Sequence, residues 1–490
     1  MGSIRKQSIL GSIALYAGQV VGLANKMVLF PLVFAGQEQY WGMLAFMLGV
    51  AALLGGIGTL GFGKAILRYV PKSPERARWI IQRSLLFSGL GGVVSVAVVA
   101  AMSEGIAQFS SDFSLFGEFA GLLLLLLVGQ WFFEMGSSVF AAFYKAQYGL
   151  MANNVTFRLT QSVLLLACYF GGLSISHFLW LNGLAYALNH LVLFVLSLRW
   201  AHRFSASPTK DPAEPMGLSA YAAFMVVLTL VSQAFLQLDA LMVGHFLLLS
   251  QLAYFDLAKN LSSVMDLPTR ALGASSVASL SRLLGASELA KVKEVYQKAS
   301  FVQLLLGLFM FAAIITHIDW LIARLPSADY AVIKPLFLVI ALGKMIDLAT
   351  GLNWAIISNS ERYWINLQIG TATLIALVGL EWWLIPEFGL VGAAWGIVAA
   401  YALNNALRTY FVWNVFGMGP LGRDHRKLLP MIAVAVAVSI DFPLDRSVQM
   451  ILKDLAIGAT LWWYAQPGRT IAEWDDLLGS VKNRWAVRRR

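Results

Sequence analysis

Charge is what this chain has least of. Acidic and basic residues make up 13% of its 490 residues, about half the share of an ordinary soluble domain, while 59% are hydrophobic and the mean hydropathy is +0.70. A soluble fold is excluded, because a surface built from this composition could not be covered with polar groups. Cysteine is limited to Cys168, inside an apolar run, and the six histidines are scattered at 177, 190, 202, 245, 317 and 425. A disulfide framework and a His/Cys metal cluster therefore have nothing to build on, and no cofactor is expected.

What is present is a succession of apolar stretches near the ~20 residues that cross a hydrocarbon core. They mark about fourteen spans, at 8–33, 40–63, 80–102, 117–143, 154–173, 177–200, 218–241, 250–280, 298–318, 331–357, 364–385, 390–415, 428–442 and 447–465. The thirteenth is short, and the fourteenth carries Lys453 and Asp454 near its middle. The stretch behind Arg5 and Lys6 is too long for a signal-peptide core and reads as an uncleaved first span. The chain is thus expected to be an all-α, multi-pass integral membrane protein.

Orientation follows from Lys and Arg. Even-numbered connections hold most of them, including Lys72, Arg76, Arg78, Lys145, Arg199, Arg203, Lys291, Arg362 and Arg423, whereas the odd-numbered ones hold Arg324, Lys334 and Arg446. Both termini are then cytoplasmic. The net charge of +10 is mostly this topological bias and calls for no nucleic acid.

The strongest linker signal is 207–215, Ser-Pro-Thr-Lys-Asp-Pro-Ala-Glu-Pro, since three prolines with mixed charge cannot sit in a spanning helix. It separates six spans from eight. An internal echo supports the division: Ala185-Tyr186-Ala187-Leu188-Asn189-His190 in span six returns as Ala400-Tyr401-Ala402-Leu403-Asn404-Asn405 in span twelve, and transporter lobes are often built from repeats. The expected parts are a six-helix lobe at 1–206, a linker at 207–217, a second six-helix lobe at 218–415, two further spans at 416–466 and a basic amphipathic cytoplasmic tail at 467–490. The tail pairs an apolar face (Ile471, Trp474, Leu478, Val481, Trp485) with terminal arginines, a pattern suited to anionic lipid. The stretch 287–298 reads as a charged connector.

Charges inside spans are candidates for function, because an ionisable group at bilayer depth is costly unless it faces a wet cavity or a partner. In span one Ser8, Ser12, Tyr16, Gln19, Gly22 and Lys26 recur at spacings of three and four, a polar stripe that also passes beside Asn25. Lys26 lies past mid-depth, where a cavity position is favoured over snorkelling. In span eight Lys259, Ser263, Asp266 and Arg270 share a face, and Asp256 and Asp266 stand three and four residues before a cation, so intrahelical pairing is the alternative reading. In span ten Lys344 and Asp347 are expected to pair. Asp239 and Asp347 are the acidic candidates for ion coupling, with structural pairing preferred for both. Lys64, Arg68 and Arg158 could form a cytoplasmic vestibule for an anionic head group, and Arg408 lies deeper. Asn182, Tyr186, Asn189, Asn404 and Asn405 could bind sugar hydroxyls, although such residues more often join helices. Gly18, Gly22, Gly392 and Gly396 read as close-packing positions.

Four segments carry a family resemblance: Ser3-Ile4-Arg5-Lys6-Gln7-Ser8; Gly61-Phe62-Gly63-Lys64-Ala65-Ile66-Leu67-Arg68-Tyr69; Leu238-Asp239-Ala240-Leu241-Met242-Val243-Gly244-His245-Phe246 leading to 254–259; and 384–396, which contains Pro386-Glu387-Phe388-Gly389 and Gly392-Ala393-Ala394-Trp395-Gly396. In this order and spacing the chain resembles the bacterial polysaccharide and oligosaccharide flippases (lipid-linked O-antigen type), a branch of the multidrug/oligosaccharidyl-lipid/polysaccharide exporter superfamily. The resemblance implies two pseudo-symmetric six-helix bundles around a central cavity plus two C-terminal helices, working by alternating access in the bacterial inner membrane. It also implies a cargo for cell-surface polysaccharide or lipopolysaccharide synthesis: an isoprenoid-pyrophosphate-linked oligosaccharide turned from the cytoplasmic to the outer leaflet. Asp239 is followed by Ala240 where the family often has a basic residue, so no cation is carried over there.

A pyrophosphate in such a cavity requires fixed cations. Lys26, Lys259, Arg270, Lys344 and Arg408, with Gln19 and Asn25, are the candidate binding set, and Na+ or H+ is the candidate coupling ion. A drug or cation antiporter of the same superfamily is the alternative, although it would want an acidic cavity. A membrane glycosyltransferase or polysaccharide polymerase is the enzymatic alternative, disfavoured because the outer connections near 103–116 and 319–330 are short and lack paired carboxylates. The protein is therefore expected not to be an enzyme, to have membrane lipids and the lipid-linked oligosaccharide as partners, and to be a monomer. The charge asymmetry makes one prediction: in a chain whose Cys168 is replaced, cysteines at Gln37 and Ser111 label from outside the cell with an impermeant maleimide, while those at Ser73 and Thr209 do not. The reverse pattern overturns the orientation.

Overall fold

The computed structural model describes residues 14–110, 112–204, 217–267, 280–441, 443 and 445–466. The opening run through Ser12, the Pro-rich linker, Arg270 and the basic tail lie outside these residues. Among the described residues every regular element is helical. Fourteen segments fall where hydropathy places spans: α1 (Ala14–Val33), α2 (Glu38–Gly58), α3 (Ala77–Ala101), α4 (Ala120–Ala142), α5 (Phe157–Tyr169, entered through Gln147–Met151), α6 (Ile175–Phe204), α7 (Leu218–Phe246), α8 (Leu249–Ser262, tightening at Ser263–Asp266), α9 (Leu289–Ile322), α10 (Ile333–Thr350), α11 (365–388), α12 (390–416), α13 (Leu429–Ser439) and α14 (Arg446–Tyr464). Eight helices, counting 365–416 as one, are long and apolar enough on their own to cross a bilayer. The others are short, interrupted or charge-bearing. The architecture is that of an all-α, multi-pass membrane protein.

Local chemistry explains the interruptions. Pro31 lacks an amide hydrogen and its ring crowds the carbonyl one turn earlier, and α1 responds with a π-turn over Asn25–Leu29. Pro386 and Gly389, whose φ of 58° suits a residue without Cβ, divide the 52-residue helix Ile365–Phe416 into α11 and α12. Gly351 at φ 64° ends α10 short of the expected boundary at 357, and a short helix follows at Asn353–Ser358. Likewise α2 stops at Gly58, so the Gly61–Tyr69 motif forms its own helix, Phe62–Tyr69. The supposed charged connector at 287–298 is mostly the first turns of α9, where Glu294 and Lys298 pair at i,i+4. The expected outer connection at 103–116 also contains helix, at Ser103–Phe109 and from Phe113.

Contacts divide the chain into two compact units that interleave along the sequence: residues 1–260, 325–327 and 374–396 in one, and 261–324, 328–373 and 397–490 in the other. The first has an aromatic core, with Phe30 stacked on Phe34 at 5.4 Å and tilted against Trp41 at 5.2 Å. A second cluster in that unit gathers Phe62, Ile66, Ile80 and Met135. The other unit packs Tyr296, Ile356 and Val412. It also ties the α13–α14 turn down electrostatically: Lys334 bridges Asp319 (2.7 Å) and Asp441 (2.8 Å). That hydrogen bond holds the Asp441 carboxyl below its usual range. Lys453, buried in α14, adds a contact to Asp441 at 3.4 Å, which explains how a lysine sits near the middle of that segment.

Glycine sets the tightest approach in the first unit. A Cβ on Gly42 of α2 would stand 1.7 Å from the carbonyl oxygen of Leu249, which is backbone and cannot rotate away, whereas a Cβ on Gly89 of α3 meets nothing within 4 Å. Gly42→Ala is expected to cost at least about 1–3 kcal/mol, read as a lower melting temperature and poor yield of monodisperse protein. Gly89→Ala should behave like the parent; equal behaviour of the two variants would refute this α2–α8 approach.

Candidate functional site

The polar side chains inside the first unit form connected clusters. In α1 the π-turn brings Lys26 to Asp256 of α8, with Nζ 2.5 Å from Oδ2. Trp41 Nε1 donates to the same oxygen at 3.0 Å, and Asn260 Nδ2 donates to Oδ1 at 2.9 Å. The Lys26 ammonium also lies 4.7 Å from the Phe30 ring centroid and 5.4 Å from that of Trp41, a cation–π setting that offsets part of its lost hydration. Lys26 therefore does not snorkel: it is held by one carboxylate and two aromatic faces.

One turn further along α8, Lys259 pairs with Asp239 of α7 at 2.7 Å and donates to the Leu236 carbonyl at 2.8 Å. Both pairs are interhelical, so the intrahelical Asp256–Lys259 pairing is corrected. Their geometry explains why: an α8 side chain reaching across to a neighbouring helix finds its partner in a less hydrated setting, where the attraction is stronger. Asp256 accepts from all three donors while its side chain stays 19% exposed.

Glu381 of α11 is the residue that sequence reasoning missed. It is fully buried, and neither carboxyl oxygen has a hydrogen-bond partner among the described residues. Asp239 and Lys259 are the charged groups that act on it. Gly396 leaves the space for it, since a Cβ there would lie 2.8 Å from Glu381 Cγ. The signal was readable: an acid within an apolar run, with only Leu377, Val378, Leu384 and Ile385 at helical spacing. Two carboxyls thus stand near one ammonium.

The α1–α5 contact uses the rest of the polar stripe. Asn25 is buried, donates to the Arg158 carbonyl at 3.0 Å and accepts from Ser162 Oγ at 2.6 Å. Arg158, expected at a vestibule, instead lays its guanidinium against α1, donating to the Gly18 carbonyl (2.7 Å) and to Gln19 Oε1 (3.4 Å). A Cβ on Gly22 would come 2.1 Å from that guanidinium, which makes Gly22 a packing position, as expected. Lys64 and Arg68 are exposed on Phe62–Tyr69, with Arg68 4.2 Å over the Tyr221 ring. Tyr186 donates to Gln130, and Asn189 to the Ala152 carbonyl, so both serve helix contacts.

The second unit has its own cluster. Lys344 bonds Asp266 at 2.7 Å and the Tyr401 hydroxyl at 2.8 Å. The expected Lys344–Asp347 pair does not form. Asp347 instead accepts from Asn405 Nδ2 at 2.9 Å, while Asn405 accepts from Thr350 and Asn353. Arg408 keeps a buried Nε without a hydrogen bond among the described residues. Lys26, Lys259 and Lys344 are thus all already paired, and Arg408 is the cation the cluster leaves least engaged.

No protein-family model matches the chain, and no curated protein matches it by sequence. Solved structures do match in fold. The lipid II flippase MurJ in an inward closed conformation is similar with a TM-score of 0.72 at 14% identity, covering 93% of this chain and 99% of that one. An inward-facing multidrug-resistance MATE transporter of the MOP superfamily gives 0.63 at 15% identity, covering 83% and 98%. The MATE multidrug transporter DinF-BH gives 0.59 at 16%, covering 84% and 95%. The chain has the fold these transporters share.

The Lys26–Asp256 contact can be measured. In a double-mutant cycle with Lys26→Met and Asp256→Asn, thermal unfolding in detergent should return a coupling of about 1–3 kcal/mol. A coupling near zero would mean that the pair does not form.

Proposed function

We propose that the protein is a transporter that turns an isoprenoid-pyrophosphate-linked oligosaccharide from the cytoplasmic to the outer leaflet of the bacterial inner membrane, with both termini cytoplasmic and two six-helix lobes rocking in alternating access. The observation that carries this reading is coverage: the fold likeness to a lipid flippase takes in 93% of the chain, against 83% and 84% for the two drug transporters. The four sequence segments that resemble polysaccharide flippases support it independently.

On this reading the lysines act by exchanging partners. A pyrophosphate carries more charge than a carboxylate and can take the Lys26 ammonium, because Asp256 keeps hydrogen bonds from Trp41 and Asn260 when the lysine leaves. Lys259 has a comparable role opposite Asp239, and Lys344 with Arg408 would receive the head group in the second unit. Gln19 and Asn25 position α1, while Lys64 and Arg68 are placed to attract the anion first. Asp239 and Glu381, sharing one ammonium, would carry the coupling cation, H+ or Na+, because both ionised leave the cluster one charge short of neutral. Asp347 is the second acidic candidate. The same pairing gives the drug-antiporter reading its foothold, since paired lysines leave no net cationic cavity.

Proteoliposomes decide between them. The purified chain should flip a fluorescent undecaprenyl-pyrophosphate-linked sugar and should not export ethidium or a rhodamine dye. Lys26→Gln and Lys259→Gln should reduce flipping at least tenfold in a normally inserted protein, Lys→Arg should be partly tolerated because charge persists while geometry changes, and Glu381→Gln should remove the stimulation by an imposed cation gradient. Dye export without flipping would replace the flippase by the antiporter; full activity of both Gln variants would remove the lysines from the site.

A further inference from the structure

The first unit carries a second polar–apolar site, away from the buried pairs. A groove of about 500 Å³ opens between α4, the Gln147–Met151 helix and α6, within the ~300–1,000 Å³ range of ligand sites. Its lining is graded along α6. Arg199, Trp200 and Arg203 stand at the C-terminal end, and Val192 and Leu196 follow toward Asn189. From Asn189 to Arg203 the helix covers about 21 Å, the scale of a lipid head group with the upper part of one chain.

Charge and exposure favour one occupant. Arg199 and Arg203 are one helical turn apart and exposed, no carboxylate lines the groove, and neither arginine is bonded to an acid among the described residues. Lys145 adds a third cation, its Nζ 5.2 Å from the Trp200 ring centroid. Val192 and Leu196 are exposed apolar residues on the same helix. The π-turn Ala152–Thr156 lies along the groove, and its Ala152 carbonyl takes one N–H of the Asn189 amide. The lining also offers neutral donors in Tyr148, Thr156, Asn189 and Trp200, but two arginines at one end of an apolar wall formed by Leu196 and Val192 match a phosphodiester with its chain along that wall.

We infer that this groove between α4, the Gln147–Met151 helix and α6 binds one anionic phospholipid, with its phosphate on Arg199 and Arg203 and an acyl chain along Val192 and Leu196. Basic pockets between helices on the positively charged side of a membrane protein recognise such head groups, each cation contributing to the preference. Two arginines with no acidic partner among the described residues should favour phosphatidylglycerol over phosphatidylcholine of the same chains by about thirtyfold.

Native mass spectrometry of the full chain in detergent, titrated with each lipid, reads this as the affinity of the first bound lipid. The R199Q/R203Q double variant should bind both lipids about equally. L196W should weaken both while keeping the charge, and R362Q, at an exposed arginine elsewhere, should retain the parent preference. Melting temperatures of the variants confirm that each is folded. Equal binding of the two lipids by the parent, or a preference that survives R199Q/R203Q, overturns the site. Farnesyl pyrophosphate outcompeting phosphatidylglycerol at this site would assign the groove to the cargo and overturn it as well.

Discussion

In hydrocarbon a charged side chain must be answered by another, and this constraint organises the interior of the protein. An isolated ammonium or carboxylate at that depth costs several kcal/mol. The chain meets the requirement with ion pairs between helices rather than within them. α8 contributes to three of these pairs: Asp256 to Lys26 of α1, Lys259 to Asp239 of α7, and Asp266 to Lys344 of α10. Each pair is supplemented by a neutral donor or acceptor, from Trp41 and Asn260, from the Leu236 carbonyl, and from Tyr401. Breaking any of them would leave a partly buried charge without its counter-charge, so helix placement and charge placement are the same problem.

Much of this was legible in the sequence, and the part that was not has a physical reason. Helix positions follow from hydropathy, so even α13 and α14 lie where the apolar runs put them, and Lys26, Lys259 and Lys344 stand out because a lone charge in an apolar run is visible by itself. Partners are different. Helical spacing reports only neighbours on the same helix, which made Asp347 look like the partner of Lys344 and Asp256 that of Lys259, whereas the structure reaches across to Asp266 and Asp239. Arg158 shows the same limit: its position near a helix start suggested a vestibule, yet Gly22 leaves the space that receives it and the Gly18 carbonyl accepts its hydrogen bond, while Gly18 itself packs against Asn154. Glu381 escaped for the opposite reason. It has no polar stripe around it, and its relation to Asp239 and Lys259 exists only after α11 and α7 are folded together.

The unequal satisfaction of the charges is informative in itself. Asp256 accepts from three groups, while Glu381 accepts from none among the described residues. A carboxyl left without donors in a buried site marks a position where something other than a protein hydrogen bond completes the chemistry. The nearby Lys259 is already engaged by Asp239, so it cannot neutralise Glu381 as well. Structural pairing accounts for Asp256, Asp239 and Asp266, and it does not account for Glu381.

Neutral pairs also bear on how a transporter of this fold could be driven. On the proposed reading, the empty carrier returns with Lys26 and Lys259 held by their aspartates, so these groups move no net charge through the membrane and the potential does not oppose the step. Loaded with pyrophosphate, the same carrier takes negative charge outward, which an inside-negative potential favours by about 2.3 kcal/mol per charge per 100 mV for the full crossing. As far as these two pairs are concerned, the field then acts on the loaded stroke alone. A cavity of permanently free cations would reverse that asymmetry, because its empty return would carry positive charge inward with the field and its loaded stroke would be electrically silent. On that reading, pairing each lysine with a carboxylate that has other donors to fall back on would place the work of the membrane potential on the cargo.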